Sequence, residues 1–315
     1  MFGPSPIGCE RTSVDEVPTV VRTRTGPIVS GAGLFAVVVW GGSFVATRIA
    51  LDALTPFGLI AIRLWMGAGL LALVMAGRKQ RLMPEPADLP RCVFLGVVLA
   101  AHLLIQAYGL LYTSAINTGW IIGFIPVTIA IGAWLLGQQR LNRTGWGGVG
   151  LGTLGVALVT AIAPRDFARA HFGDLLQLGS CLTWTVYTLA AARPNASSGV
   201  LRVTTFGMAA AAALSSVVAV FTGFVSGPLT PRSLTALVFL GVICGGVAYY
   251  LWFAAVERHG PAKIGALLYI EPFVALATGA LVLHEHVTLN AVAGGLLVLV
   301  GVALVARGAS KPENR

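Results

Sequence analysis

The chain has 315 residues, of which 56% are hydrophobic and only 10% are charged. Because soluble domains carry roughly a quarter charged residues, this composition excludes an ordinary soluble protein. The net charge of +9 does not predict a nucleic-acid partner, because the basic residues lie in short connections between long apolar runs.

In chain order, ten apolar runs have the length of about 17–25 residues that crosses a bilayer as an α-helix. A helix satisfies its own backbone hydrogen bonds, as lipid requires. We therefore predict an all-α integral membrane protein with ten transmembrane helices and the lipid bilayer as its partner. The runs are Val29–Arg48, Pro56–Gly77, Cys92–Leu111, Ala115–Gly137, Trp146–Ile162, Asp174–Ala192, Val200–Val225, Ser233–Val256, Ala262–Leu283 and Asn290–Ala306.

The two halves of the chain repeat each other. The pentapeptide Gly-Val-Ala-Leu-Val occurs at Gly155–Val159 and again 146 residues later, at Gly301–Val305. The same offset superposes Pro126 on Pro272 without a gap. We predict one five-helix repeat over residues 29–162 and a second over 174–306, joined by a connecting loop at 163–173. An odd number of helices per repeat inverts the second one, an architecture typical of transporters.

The distribution of basic residues predicts the orientation. With the amino terminus inside, the cytoplasmic segments hold 16 lysines and arginines and the outer segments hold 4. This bias predicts that both termini are cytoplasmic in a multi-pass protein of the cytoplasmic (inner) membrane, and that the 163–173 loop is outside. Residues 1–28 are expected to form a disordered cytoplasmic tail, and 307–315 a short one.

Charged side chains inside membrane helices are costly and are functional candidates. Arg63 lies within the second run, where it could attract a carboxylate in a cavity or form part of an outer gate. It could instead extend to the outer interface or pair with a neighbouring carbonyl group. Glu271 is the only acid deep in a run. It could bind an amine, carry a proton, or satisfy backbone groups freed by Pro272.

Other polar and aromatic residues form a second group of candidates. His102 and Gln106 are four residues apart and share one helical face, as a pore-lining stripe or as polar contacts between helices. Trp184, Tyr187 and Tyr250 could line an aromatic cavity. Trp120, one turn into the fourth run, could belong to the aromatic belt at the membrane interface or to the pathway, and the belt is the first expectation.

Prolines and glycines predict where helices bend and pack. Pro126 and Pro272 lie mid-run at equivalent places and should kink their helices, which points to a binding site near the midplane. Gly148 and Gly152 have the spacing of close helix packing.

Motifs for metals and nucleotides are absent from the sequence. The four cysteines form no Cys-x-x-Cys pair, and no phosphate-binding Gly-x-x-x-x-Gly-Lys-Ser/Thr loop occurs. His284-Glu285-His286 does not place its two histidines on one helical face. The sequence therefore predicts no metal, no cofactor and no ATP-driven transport by this chain alone.

Taken in order, several motifs resemble the EamA-type repeat of the drug/metabolite transporter superfamily. The resemblance covers about residues 30–306. Its matching stretches are Trp40-Gly41-Gly42-Ser43-Phe44, Ala61-Ile62-Arg63-Leu64, Tyr112-Thr113-Ser114-Ala115, Leu136-Gly137-Gln138-Gln139-Arg140-Leu141, Gly173-Asp174-Leu175-Leu176, Trp184, Tyr269-Ile270-Glu271-Pro272 and Leu283-His284-Glu285. Trp40 and Ser43 join the pathway candidates on this ground.

Two departures from that family pattern separate the halves. The first repeat of the family usually ends its fourth span with Leu-Gly-Glu, whereas Gln139 stands in place of the acid here. The second repeat keeps Glu285 but has His284 where glycine is common. A role that needs two symmetric carboxylates is therefore not expected.

The resemblance implies a secondary transporter, not an enzyme, that moves a small organic solute by alternating access. Export of an amino acid or a related metabolite is the first expectation, with proton coupling through Glu271 or His102 as one option and uncoupled exchange as another. The alternatives are an intramembrane lipid-modifying enzyme and a non-transporting membrane subunit. The oligomeric state is not predicted.

Overall fold

A computed structural model of the protein describes residues 31–160, 167–191, 199–259 and 266–310. The expected amino-terminal tail at 1–28 lies outside the described residues. The first half contains α1 (Gly31–Ala50), α2 (Pro56–Gly77), α3 (Leu89–Leu110), α4 (Ala115–Ile122), α5 (Ile125–Leu135), strand β1 (Arg140–Leu141) and α6 (Arg143–Thr160).

The second half contains more interruptions than the first. Its elements are α7 (Phe167–Ala191), α8 (Val200–Thr222), α9 (Pro231–Val238), a π-helix (Phe239–Ala248), α10 (Tyr249–His259), a 3₁₀ turn (Ala266–Ile270), α11 (Glu271–Val282), α12 (Leu289–Gly308) and strand β2 (Ala309–Ser310). Several helices begin where the local sequence supplies a cap. The side chains of Thr55, Ser114, Thr230 and Thr288 each accept a hydrogen bond from a backbone N–H in the first turn of the helix that follows.

Seven helical stretches in the described part of the chain are long and apolar enough to cross a membrane. These are Gly31–Ala50, Pro56–Gly77, Pro86–Leu110, Ala115–Leu135, Leu201–Thr222, Pro231–Trp252 and Leu289–Gly308, and Leu267–Val282 is a shorter apolar stretch. The chain is therefore a multi-pass, helical membrane protein.

The contacts between the halves come in matched pairs. Helix α3 packs on α7 and α8, and the equivalent span of the second half, α9 to α10, packs on α1 and α2. Helices α4 and α5 pack on α7, just as α11 packs on α1. Three further contacts, α2–α8, α4–α11 and α6–α12, join equivalent helices. This pairing is what a twofold relation between two repeats produces.

The contact between α6 and α12 is made through glycine. A β-carbon placed on Gly155 would lie 2.6 Å from the carbonyl oxygen of Gly294, and one placed on Gly294 would lie 2.6 Å from that of Gly155. Gly148 meets Gly301 in the same way. The contacts run in opposite directions along the two helices, so α6 and α12 are antiparallel. Strands β1 and β2 continue this pairing, with Arg140 opposite Ser310.

Both proline-containing spans are interrupted at equivalent points. The fourth predicted run is divided at residues 123–124, between α4 and α5, and the ninth predicted run changes from a 3₁₀ turn to α11 after Ile270. Pro126 and Pro272 each occupy the second position of the helix that follows the interruption. Proline fits this position because the first N–H groups of a helix have no partner within the helix.

Two boundaries differ from the sequence predictions. Helix α7 begins at Phe167, so most of the expected 163–173 loop is helical. The helix passes through His171, a polar residue that the start of a membrane helix tolerates near the headgroups. At the carboxyl end, the predicted tail at 307–315 begins inside α12 and continues as β2. Backbone pairing with β1 holds Ala309 and Ser310 in place.

The helix connections lie on two faces. On the first, which we call the Glu285 face, Arg48 Nη1 donates to Leu110 O at 2.7 Å and Thr55 N donates to Phe224 O at 3.1 Å. On the second, the Arg78 face, Arg78 donates to the Tyr250 hydroxyl and Arg202 Nε donates to Arg81 O at 2.8 Å. The β1–β2 pair also lies on the Arg78 face.

Substitution of Gly155 by alanine should destabilise the protein by about 1–3 kcal/mol, because the added methyl group meets backbone atoms that cannot rotate away. Gly150→Ala on the same helix is the matched control, since nothing lies within 4 Å of its added β-carbon. Thermal unfolding in detergent measures both variants. Equal melting temperatures for the two would contradict the packing described here.

Candidate functional site

The candidate residues meet in the middle of the helix bundle, beside the interrupted spans. We call this group the central cluster; its members are Trp40, Arg63, His102, Trp184, Tyr187, Tyr249, Trp252 and Glu271. They come from α1, α2, α3, α7, α10 and α11, so both repeats contribute. Each member makes a ring contact or an electrostatic interaction with at least one other member.

Glu271 begins α11 directly after the 3₁₀ turn. Its carboxylate therefore lies at a helix amino terminus, where the backbone dipole favours negative charge. The backbone there contacts α1 closely, because a β-carbon on Gly41 would lie 2.8 Å from Glu271 O. In the described part of the chain, no residue donates a hydrogen bond to its carboxylate.

Arg63 is buried on α2, with 8% of its surface exposed. It lies within electrostatic range of Cys244 and Tyr249, and also of His102 on α3. Among the described residues, none accepts a hydrogen bond from its guanidinium group. A buried cation without an acceptor is costly, so this side chain is ready to bind an anionic group.

Aromatic rings lie beside the two charges. Trp40 of α1 lies 5.2 Å from Tyr249 and 5.2 Å from Trp252, measured between ring centroids. Tyr249 interacts electrostatically with both Arg63 and Glu271. The sequence singled out Trp40 but not Tyr249, which lies at the centre of the cluster.

A π-helix explains the direction of Tyr249. Residues 239–248 form wider turns than an α-helix, a rare geometry that is frequent at functional sites. Trp40 Nε1 donates to Cys244 O at 3.2 Å within this segment, and Cys244 Sγ donates back to Val39 O at 3.8 Å. This reciprocal contact joins α1 to the π-helix, directly before Tyr249 and Trp252.

His102 lies between Arg63 and a second aromatic pair, Trp184 and Tyr187. Its Nδ1 lies 3.0 Å from Ser180 O, and because a carbonyl only accepts, Nδ1 carries the proton. The other ring nitrogen is then an acceptor in the neutral form. The imidazole lies 4.9 Å from the Trp184 ring, which stacks on Tyr187 at 5.3 Å.

Three predicted pathway residues lie beside the cluster or outside it. Tyr250 points to the Arg78 face, where the Arg78 guanidinium lies 5.1 Å from its ring centroid. Ser43 is buried one turn beyond Trp40 on α1, and Gln106 is buried one turn beyond His102 on α3. The Gln106 backbone oxygen accepts a hydrogen bond from Gln177 Nε2 at 3.0 Å.

Trp120 does not lie in an interfacial belt, so that prediction is wrong. Its side chain is 1% exposed, and it packs against Gly295, where an added β-carbon would lie 2.2 Å from the indole ring. Its ring also meets Phe273 edge to face at 5.6 Å. The glycine at 295 creates the space, and only the fold brings the two residues together.

The sequence did not assign roles to two acids that make well-defined contacts on the Glu285 face. Glu285 accepts hydrogen bonds from the backbone N–H groups of Ala115 at 2.8 Å and Ile116 at 2.9 Å. Asp174 is buried two turns into α7 and accepts a hydrogen bond from the Thr113 hydroxyl. These bonds join the end of the α3–α4 connection and the start of α4, in the first repeat, to the second repeat. In the residues that the structure describes, no group of three His, Cys, Asp or Glu could hold a metal ion.

The central cluster contains groups that complement the two charges of a zwitterionic small molecule. A carboxylate fits Arg63, whose guanidinium group forms paired hydrogen bonds with planar anions. An ammonium group fits Glu271 and the faces of the neighbouring aromatic rings. The two charged residues lie on different repeats, so a molecule that bridges them contacts both halves.

Comparison with known proteins identifies a family over nearly the whole chain. The profile of the EamA-like transporter family matches residues 28–161 and again residues 171–307. The two matches correspond to the two halves described above.

Named relatives of similar length are transporters. An uncharacterized transporter of Archaeoglobus fulgidus is 26% identical over 274 residues, covering 85% of this chain and 93% of its own. The transporter YvbV of Bacillus subtilis is 26% identical and covers 90% and 92%. A probable terminal-alkyne amino-acid exporter of Streptantibioticus cattleyicolor is 27% identical and covers 87% and 92%.

A crystal structure of another protein has the same fold. It superposes with a TM-score of 0.64 at 22% sequence identity, covering 87% of this chain and 94% of the other.

Replacing Trp40 by phenylalanine should destabilise the protein by about 1 kcal/mol, because Cys244 O loses its indole donor inside the membrane. Trp134→Phe is the control: Trp134 is 42% exposed and meets Trp146 edge to face. Thermal unfolding in detergent compares the two. A loss no larger for Trp40→Phe than for Trp134→Phe would show that the hydrogen bond contributes nothing.

Proposed function

Because the chain belongs to the EamA-like transporter family, it is a membrane transporter and not an enzyme, and we propose that it moves a small zwitterionic solute by alternating access. The solute class is an amino acid or a closely related metabolite, and the direction is export. The observation that carries this proposal is the pair Arg63 and Glu271. These opposite charges lie in one cluster, and neither forms a hydrogen bond with another described residue.

The charges support a zwitterion over a singly charged solute. A carboxylate alone would leave Glu271 uncompensated near the midplane, and an amine alone would leave Arg63 uncompensated. A free amino acid neutralises both and places its side chain against Trp40, Trp184 and Tyr249. The relative that is named as an amino-acid exporter supports the same class.

The mechanism we propose uses ten spans in two inverted repeats. The paired contacts between the halves and the antiparallel α6–α12 contact support this arrangement. Under it, α4 with α5 forms one span, the segment from α9 to α10 another, and the 3₁₀ turn with α11 a third. The solute site lies between the repeats, where movement of one repeat against the other exposes it to either side.

The orientation we propose puts the Arg78 face in the cytoplasm of the cell that makes the protein. Arginines concentrate on that face, and three of them form its contacts: Arg78, Arg91 and Arg202. The positive-inside rule then places both termini in the cytoplasm and the Glu285 face outside, in the cytoplasmic membrane.

Proton coupling is part of the proposal, with Glu271 and His102 as carriers. Glu271 has no fixed partner among the described residues, and the second ring nitrogen of neutral His102 is an acceptor. Both connect to Arg63, directly or through Tyr249. A proton on Glu271 would release a bound amine, so proton entry and solute release would be linked.

Flux measurements test the charge pair. Glu271→Gln and Arg63→Gln should each lower amino-acid flux in proteoliposomes at least ~10-fold, because each removes a charge-assisted bond to the solute. The matched controls are Asp52→Asn and Arg143→Gln, whose side chains are exposed. A panel of amino acids and of singly charged analogues identifies the cargo. Unchanged flux in both charge variants would reject the site.

A pH gradient tests the coupling. An imposed proton gradient should drive accumulation of the solute by the wild type, and a protonophore should abolish it. His102→Asn, which leaves the Arg63 and Glu271 charges in place, should still exchange solute between compartments, but without accumulation. Accumulation by wild type that does not respond to the gradient would show that transport is uncoupled.

A further inference from the structure

Glu285 forms a bond between the repeats that the solute site does not need. Its two carboxylate oxygens accept from two successive backbone N–H groups, those of Ala115 at 2.8 Å and Ile116 at 2.9 Å. These are the first residues of α4, in the first repeat, whereas Glu285 lies between α11 and α12 in the second. One side chain therefore joins the start of one repeat's helix to the other repeat.

The chemistry of this contact is favourable. The first N–H groups of a helix have no partners within the helix, and the helix dipole favours a negative charge there. Ser114 satisfies one of them from within its own repeat, at Asn117 N. Glu285 satisfies two more with a full charge, and its own backbone N–H donates to Gly279 O at 3.2 Å. The backbone of Glu285 is thus held by α11, while its carboxylate caps the amino terminus of α4.

Packing beside the contact is close. A β-carbon on Gly279 would lie 2.8 Å from Ile116 Cγ1 and 3.1 Å from Glu285 Oε2. The carboxylate therefore lies in a tight joint between α4 and α11, where rotation of one repeat against the other would separate donor from acceptor.

The other repeat does not carry the same charge. Gln139 holds the position of Glu285 in the first repeat, 146 residues earlier. Its side chain is neutral, and its Nε2 has no acceptor among the described residues. A carboxylate capping contact is present on the Glu285 face, and the equivalent position on the Arg78 face has only an amide.

We propose that Glu285 is a positioning residue that latches the two repeats together on the Glu285 face. The latch stabilises the conformation closed on that face and must open when the solute leaves there. Because Gln139 cannot provide a charged counterpart, the resting transporter is closed on the Glu285 face. This inference rests on the proposed alternating access, but on no particular solute.

Two measurements test the latch without any solute. Hydrogen exchange over residues 111–122 reports the protection of the Ala115 and Ile116 amides. Spin labels at Val225→Cys and Leu289→Cys, both exposed on the Glu285 face, report the distance across that face. The background replaces Cys9, Cys92, Cys181 and Cys244.

Glu285→Gln is close to isosteric but removes the charge and one of the two acceptor oxygens. We expect exchange at Ala115 and Ile116 to become at least ~10-fold faster, and a longer distance between the labels to become populated. Ser114→Ala is the matched control, because it removes a cap from the same helix end without touching the other repeat. It should speed exchange only near Asn117 and leave the distance unchanged.

Two outcomes would overturn the proposal. One is an unchanged label distance in Glu285→Gln, whether or not exchange accelerates, because Glu285 would then be only a local helix cap. The other is the same change of distance in Ser114→Ala. If Glu285→Gln fails to fold, Glu285→Asp, which is one methylene shorter, replaces it with the same expected result.

The proposed function can fail separately from the latch. Loss of flux in the Arg63 and Glu271 variants together with an unchanged label distance in Glu285→Gln rejects only the latch. A longer distance in Glu285→Gln together with unchanged flux in the Arg63 and Glu271 variants rejects only the solute site.

Discussion

The close approach of α6 and α12 is the constraint on which the arrangement of the two halves depends. Apolar side chains gain little from contacting each other in lipid, so helices associate where small residues let backbones meet. Gly148, Gly155, Gly294 and Gly301 provide such a surface, and each backbone lies where the other's side chains would have been. Each repeat contributes the same glycines to this surface, so the contact is symmetric.

The chemistry placed in this symmetric frame is not symmetric. Ile125 stands at the position equivalent to Glu271, and Gly207 at the one that corresponds to Arg63. A β-carbon on Gly96 of α3 would lie 2.7 Å from Gly207 O, so there the second repeat uses the position to pack helices. Glu285 and Gln139 differ in the same way. Arg63, Glu271 and Glu285 therefore each occur in one repeat only, and Glu285 contacts the other repeat through Ala115 and Ile116.

The interrupted helices place charged and aromatic side chains from both repeats close together, in the cluster proposed as the solute site. A regular membrane helix hides its backbone polar groups, whereas an interrupted one presents them at depth. The 3₁₀ turn before Glu271 places an acid at a helix start in the middle of the protein. The π-helix re-aims the residues that follow it, so that Tyr249 joins Trp40 in the cluster while Tyr250 meets Arg78 on the opposite side.

Individual residues show how far sequence reasoning reaches. Arg63, Glu271 and His102 could be found from the sequence because polar groups are costly in lipid and therefore conspicuous in apolar runs. The helix starts after Thr55 and Ser114 follow from local capping chemistry. Tyr249 and Trp252 could not be selected, because their direction depends on a π-helix that no local pattern announces. The role of Glu285 also needs the fold, since its acceptors are main-chain groups 170 and 169 positions away in the chain.

By itself, the sequence determined the membrane class, the repeated halves and the family. These properties are carried by run length, composition and register, which are local or periodic along the chain. Only the tertiary structure decided which polar residues meet, that Trp120 is buried against Gly295, and that Glu285 caps a helix of the other repeat. Such contacts join positions that are distant in the chain. An apolar helix could pack through many of its faces, and only close packing in the folded bundle selects one.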